Sequence, residues 1–177
     1  MKSLIIGTRG SSLALWQANH VKSLIEMKTK TQCEIKVIST RGDEDQSTPL
    51  PEVGDKGFFT AEIEAELLTG TIDLAVHSMK DLPVDLGSDF RIAAVPKRFS
   101  HYDVMVTRTP MDFEDLPKNA IIATGSLRRE LQIKSIQPNI KIVDVRGNID
   151  TRIKKLKDNH WDGLIMAEAA IKRLDLD

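Results

Sequence analysis

Two hydrophobic tempos alternate along this chain, one of strand type and one of helix type. SLIIGT (3–8) and CEIKVIS (33–39) are short apolar-rich runs that predict strands. Between them, Ser11 to about Lys28 sets Ala14, Ala18, Val21 and Ile25 on one stripe at helical spacing. Residues 40–57, TRGDEDQSTPLPEVGDKG, scatter three Gly and two Pro among charges and predict a long loop. Phe59 to Leu68 predicts a helix with the stripe Phe59, Ile63 and Leu67. DLAVH (73–77) predicts a third strand and RIAAVP (91–96) a fourth.

A second series repeats the rhythm without repeating the sequence. DVMVTR (103–108), IIATG (121–125), KIVDVR (141–146) and GLIMA (163–167) predict strands. Ser126–Ile136, Asn148 to about Lys157, and Glu168 to Leu174 predict the intervening helices. Strand–helix alternation of this kind predicts an α/β fold with parallel sheets. PKRFSHYD (96–103) is the expected hinge, dividing a first domain, 1–98, from a second, 99–177.

Composition narrows the function classes. With 177 residues, 41% hydrophobic and 29% charged, the chain reads as a soluble globular protein of one large or two small domains. No apolar run approaches the roughly 20 residues of a membrane span, and no secretory leader is legible, so the expected location is cytoplasmic. Cys33 is the sole cysteine, which excludes an intramolecular disulfide and a cysteine-based metal cluster. His20, His77, His101 and His160 lie far apart without ligand spacing, so no metal is expected. A net charge of −1 and eight aromatic residues offer neither a field nor a stacking platform for nucleic acid.

The candidate chemistry sits where strands give way to helices. Thr8-Arg9-Gly10-Ser11, Gly125-Ser126-Leu127-Arg128-Arg129 and Arg146-Gly147-Asn148, with Arg152 one turn on, all occupy such junctions. Free N–H groups and the helix dipole favour an anion there, and α/β ligands bind at the carboxyl ends of strands. With Ser126 as a good N-cap, Arg128 and Arg129 fall in a first helical turn, where a cation opposes the dipole by roughly 0.3–1 kcal/mol. One such arginine is better read as solvated or paired with an acid such as Glu130. Five at equivalent junctions favour a ligand with several carboxylates. Neither GxxxxGK[ST] nor GxGxxG is present, which argues against a nucleotide.

The stretch DLAVHSMKDLP (73–83) places Lys80 beside Asp81 at a strand end. The plain reading is a surface ion pair worth at most about 1 kcal/mol. Adjacent residues on extended chain point opposite ways, so the two need not pair. The functional reading puts Lys80 on a ligand carboxylate and Asp81 against an N–H or a developing cation. His77 reads as a satisfied strand-end histidine rather than a catalyst.

The stretches GTRGSSLALWQA (7–18), KGFFTAEIEAELLTGTIDLAVHSMKDLP (56–83), ATGSLRRELQ (123–132), VRGNIDTRIKKL (145–156) and DGLIMAEAAIKRL (162–174) resemble the porphobilinogen deaminase (hydroxymethylbilane synthase) family. The resemblance implies two doubly wound α/β domains similar to type II periplasmic binding proteins, with the active site in the cleft between them. It implies stepwise head-to-tail condensation of four porphobilinogen units to a linear tetrapyrrole of haem biosynthesis, with release of ammonia. It also implies a covalent dipyrromethane primer. By resemblance, Asp81 is the catalytic aspartate. Arg9, Ser11, Ser78, Lys80, Thr124, Ser126, Arg128, Arg129, Arg146, Arg152 and Arg173 hold cofactor and substrate, Phe59 lies beside the substrate pocket, and 42–57 is a lid.

The chain departs from the family pattern in places. The family continues into a third, α+β domain with the primer-bearing cysteine, which this chain lacks; Cys33 matches no such motif and reads as a buried core thiol. The expectation is a fragment that makes no tetrapyrrole alone and self-associates through exposed edges, whereas full-length members are monomeric. Glu52 stands where many members have a basic residue, and Tyr102 where an Arg is common. The rival readings are a carboxylate-binding module of periplasmic-binding type and an inactive fragment. An acid such as Asp81 has little use in simple anion capture, which favours the enzyme.

Overall fold

The computed structural model describes residues 3–45 and 57–176, which divide into two compact units with the break between Lys97 and Arg98. In the first unit, β1 (Leu4–Thr8) is followed by α1 (Ser12–Thr29), β2 (Cys33–Val37), a single helical turn α2 (Arg41–Glu44), α3 (Ala61–Leu68) and β3 (Leu74–Ala75). The strands form a parallel sheet in the order β2-β1-β3. Alternation along β1 decides the layers. Leu4 and Ile6 pack with Ala18 and Ile25 of α1 and with Cys33, while Ile5 joins Ile38, Ile63, Leu67 and Ile72 on the α3 side.

α1 begins where Ser11, in extended conformation, accepts a hydrogen bond from the Ala14 N–H. It ends at Lys30, whose left-handed φ of 59° turns the chain out while its N–H closes on the Glu26 carbonyl.

The second unit holds β4 (Asp103–Val106), β5 (Ile121–Ala123), α4 (Leu127–Ile136), β6 (Lys141–Val143), α5 (Ile149–Asp158), β7 (Gly163–Ala167) and α6 (Glu168–Arg173). Its sheet runs β4-β7-β5-β6. One face buries Ile122, Ile133, Ile140 and Ile165, and the other Ala123, Val145, Leu156, Leu164 and Ile171. Asn148 caps α5 by accepting from the Thr151 N–H at 2.9 Å.

Each unit contains a clasp of the same kind. Asp73, entering β3, accepts from the Ile5 N–H at 2.8 Å and donates its own N–H to the Ile5 carbonyl at 2.9 Å. Asp162, entering β7, does the same with Ile121, both bonds at 2.8 Å. The aspartate pins the second residue of β1 in the first unit and the first residue of β5 in the second, each in the neighbouring parallel strand.

Several expectations need correction. The second sheet is mixed, because β4 pairs antiparallel with β7; an antiparallel edge strand on an otherwise parallel sheet is a common variant. RIAAVP (91–96) forms no strand. Ile92 and Val95 are 49% and 68% exposed, and no described strand supplies the ladder partner that β-structure needs. The stretch 40–57 is not loop throughout, since Thr40 caps α2. Phe59 precedes its helix, which starts at Ala61. DLAVH narrows to two strand residues, followed by a 3₁₀ turn at Met79–Asp81 rather than extended chain. The expected lid falls largely outside the described residues.

Candidate functional site

In the first unit, β1 and β3 are parallel neighbours, so their carboxyl ends lie side by side. That register brings the Arg9–Ser11 junction against the segment after β3. Together they line a small open cavity with Arg9, Ser11, Gln17, His77, Ser78 and Asp81 on its wall. Gln17 ties the two sides together: its Nε2 donates to Ser78 Oγ at 3.0 Å. Burial lowers the His77 pKa, and the Arg9 charge adds to that, outweighing Asp81 and Glu64. Lys80 is exposed and does not line this cavity.

Arg9 is held from two directions. Its Nε lies 3.0 and 3.1 Å from the two carboxylate oxygens of Asp43, and Nη2 also bonds Oδ1. Its guanidinium carbon sits 4.3 Å from the centre of the Phe59 ring. Asp43 in turn accepts from Thr40 Oγ1 at 2.8 Å. Burial alone would raise the Asp43 pKa, but the Arg9 and Thr40 hydrogen bonds outweigh it and hold it below the ordinary value.

In the second unit, Thr124 follows β5 and is 4% exposed; it accepts from the Ser126 N–H at 3.2 Å. Ser126 stands at the N-cap position of α4 but makes no side-chain cap. Gly125 is there for space, since a Cβ would lie 2.9 Å from the Val145 carbonyl oxygen. Arg128 and Arg129 occupy the first turn of α4, and their counter-charge is Asp103 rather than Glu130, which pairs with Lys134. Arg128 Nη2 lies 2.9 Å from Asp103 Oδ2, and Arg129 Nη2 2.6 Å from Oδ1. Arg129 Nη1 also donates to the Ile165 carbonyl at 3.1 Å, while its Nε is buried without an acceptor among the described residues. Hydrogen bonds from Arg129 and Arg128 outweigh the upward pull of burial and hold the Asp103 pKa low.

The antiparallel strand explains how Asp103 arrives there. Asp103 pairs with Ala167, so β4 begins where β7 ends, at the carboxyl edge of the parallel strands.

Arg146 follows β6 and is 5% exposed; its carbonyl accepts from Lys155 Nζ at 3.1 Å. Arg152 Nε donates to the Gly147 carbonyl at 2.7 Å, which holds that side chain along the same junction. Arg173 stands apart from these strand ends. It closes the far end of α6, 5.7 Å from the Phe99 ring centre, and burial lowers its pKa. Cys33 is buried in β2, and burial pushes its thiol pKa up, away from the reactive thiolate. Sequence reasoning missed Asp43, Asp103 and Gln17. Only Asp43 left a signal, the Thr40-x-x-Asp43 spacing of a helix cap.

Comparison with known proteins gives a consistent result. A family model described as porphobilinogen deaminase, dipyromethane cofactor binding domain, matches residues 4–177. The porphobilinogen deaminase of Syntrophomonas wolfei is 51% identical, covering 100% of this chain and 58% of that protein. That of Nitratidesulfovibrio vulgaris is 46% identical, covering 99% and 56%, and that of Campylobacter hominis 44%, covering 99% and 57%. The chain therefore spans between 56% and 58% of the length of these relatives. A solved structure, the periplasmic domain of B. pertussis BvgS, aligns with a TM-score of 0.45 at 14% identity, covering 94% of this chain and 30% of that one, too weak a likeness to carry an argument. No helix among the described residues is long and apolar enough to cross a membrane. The family model spans nearly the whole chain, and the arginine-bearing strand ends lie within the matched residues: the chain belongs to the porphobilinogen deaminase family.

Proposed function

We propose that this chain forms the substrate- and primer-binding part of a hydroxymethylbilane synthase, which joins four porphobilinogen units head to tail with loss of ammonia. The observation that carries the reading is the first-unit cavity, where the Arg9 cation and the Asp81 carboxylate line the same wall. Porphobilinogen carries an acetate, a propionate, a pyrrole N–H and an aminomethyl group. Arg9 and Ser11 take a carboxylate through charge-assisted and hydroxyl hydrogen bonds. Asp81 accepts from the pyrrole N–H and stabilises the positive charge that spreads over the ring as ammonia departs. Neutral His77 beside Asp81 adds no competing cation, and Ser78 is oriented by Gln17. Lys80, exposed next to the cavity, meets a carboxylate at its rim.

The second unit is the primer side. A dipyrromethane carries four carboxylates, and Arg128, Arg129, Arg146 and Arg152 with Thr124 and Ser126 all stand at the strand-to-helix junctions of one sheet. When bound, the primer supplies the pyrrole carbon at which the chain grows. The finer architecture follows from the same reading: two doubly wound domains of periplasmic-binding type, 1–98 and 99–177, with catalysis in the cleft between them. The location is the cytoplasm. Full-length members act as monomers, and the chain taken alone self-associates.

Isothermal titration of this chain with porphobilinogen tests the reading. The wild type should bind, and Arg9→Gln should weaken binding about tenfold, the worth of one charge-assisted contact of roughly 1.4 kcal/mol. A wild type that leaves porphobilinogen in solution would sink it.

A further inference from the structure

Each guanidinium of the Arg128–Arg129 pair is held by Asp103, but the two are not equally committed. Arg129 is 12% exposed and is bound both to Asp103 and to the backbone carbonyl of Ile165, a rigid part of β7. Arg128 is 60% exposed; among the described residues it reaches, besides Asp103, only Gln132, one turn along its own helix. An exposed ion pair is weak and easily exchanged, whereas a buried, doubly anchored one is not.

We propose that Asp103 is the resident counter-ion of this pair, and that a ligand carboxylate binds by taking Arg128 from Asp103 while Arg129 stays bound to it. Asp103 thereby does two opposing things. It braces Arg129, and it charges the incoming carboxylate for Arg128, because the ligand must displace one carboxylate oxygen and accept that a negative charge remains close by. This deepens the primer-side assignment and rests on it for the identity of the ligand, though not for the exchange itself. The antiparallel entry of β4 is what the device requires, since only that direction starts the strand at the arginines.

Asp103→Asn separates the two effects. Asparagine keeps an acceptor oxygen for the buried Arg129 and turns an NH₂ toward Arg128, which releases it. The probe is tricarballylate, a plain tricarboxylate, titrated by calorimetry into wild type and variant, with porphobilinogen run in parallel. The variant should bind tricarballylate on the order of fivefold more tightly, the scale of one removed like charge near the surface. Equal, weaker or undetectable binding by a folded variant overturns the proposal, and weaker binding would make Asp103 a brace alone. Should the variant fail to fold, arginine Nε–H resonances of the wild type give the answer. Saturation with tricarballylate should move Arg128 and leave Arg129 in place; a static Arg128 overturns the exchange. If tricarballylate binds as expected and porphobilinogen does not, the substrate reading fails and the role of Asp103 stands.

Discussion

Asp81 and Arg9 face one cavity with opposite charges, so substitutions at each should fail differently. Asp81→Asn keeps a hydrogen-bond acceptor but removes the negative charge that the proposed function sets against a cationic pyrrole. In the full-length enzyme, turnover should fall at least about a hundredfold, with substrate affinity changing much less. Steady-state kinetics check this, and near-normal turnover would remove Asp81 from the chemistry. Arg128 and Arg129 were legible in the sequence, because a cation in a first helical turn contradicts the local dipole. Their counter-ions were not. Asp103 is 25 residues from Arg128 in the chain, and nothing short of the antiparallel pairing of β4 puts them together.

The element scale shows where pattern reasoning stops. Periodicity identified α1 and β2 because one face of each packs on the core, and β1 and β7 because both of their faces are buried. RIAAVP has the same apolar content, but content does not supply a neighbour, and the segment lies exposed. α2 escaped notice because one turn is too short for a period; a cap makes it. Its Gly42 has a steric role. A Cβ there would overlap the Phe59 ring and lie 2.9 Å from the Phe58 carbonyl oxygen, while the Gly42 N–H donates to that same oxygen at 2.9 Å. Gly42→Ala should therefore cost about 1–3 kcal/mol and push Phe59 off Arg9. Urea denaturation measures the first effect. An unchanged midpoint would show that the turn yields freely.

At the scale of the whole molecule, acid should act in two stages. The folded pKa of His77 lies below its ordinary 6.5, so the unfolded chain binds the proton first. Stability from neutral His77 is present above 6.5 and declines as pH falls toward the folded value. Asp43 and Asp103 are also depressed, below an ordinary 3.8. Their contribution is full above that value and is lost as pH falls through the folded pKa values. Thermal midpoints across pH should show a shallow upper step that His77→Gln removes, then a steeper loss below about pH 4. A flat profile down to pH 3 would contradict both assignments.

The aspartate clasps at Ile5 and Ile121 bear on how the sheets breathe. Amides in the opening residues of a strand ordinarily fray and trade their hydrogens with water before the rest of the ladder opens. Here each such amide is bound by a side chain from a segment 68 or 41 residues away. Its exchange therefore waits on opening of the partner strand, and the two ends of a loop must part together. Asp73→Ala should speed exchange at Ile5 by about tenfold or more while leaving Ile121 at its wild-type rate, which would mark each clasp as the latch of its own cooperative unit.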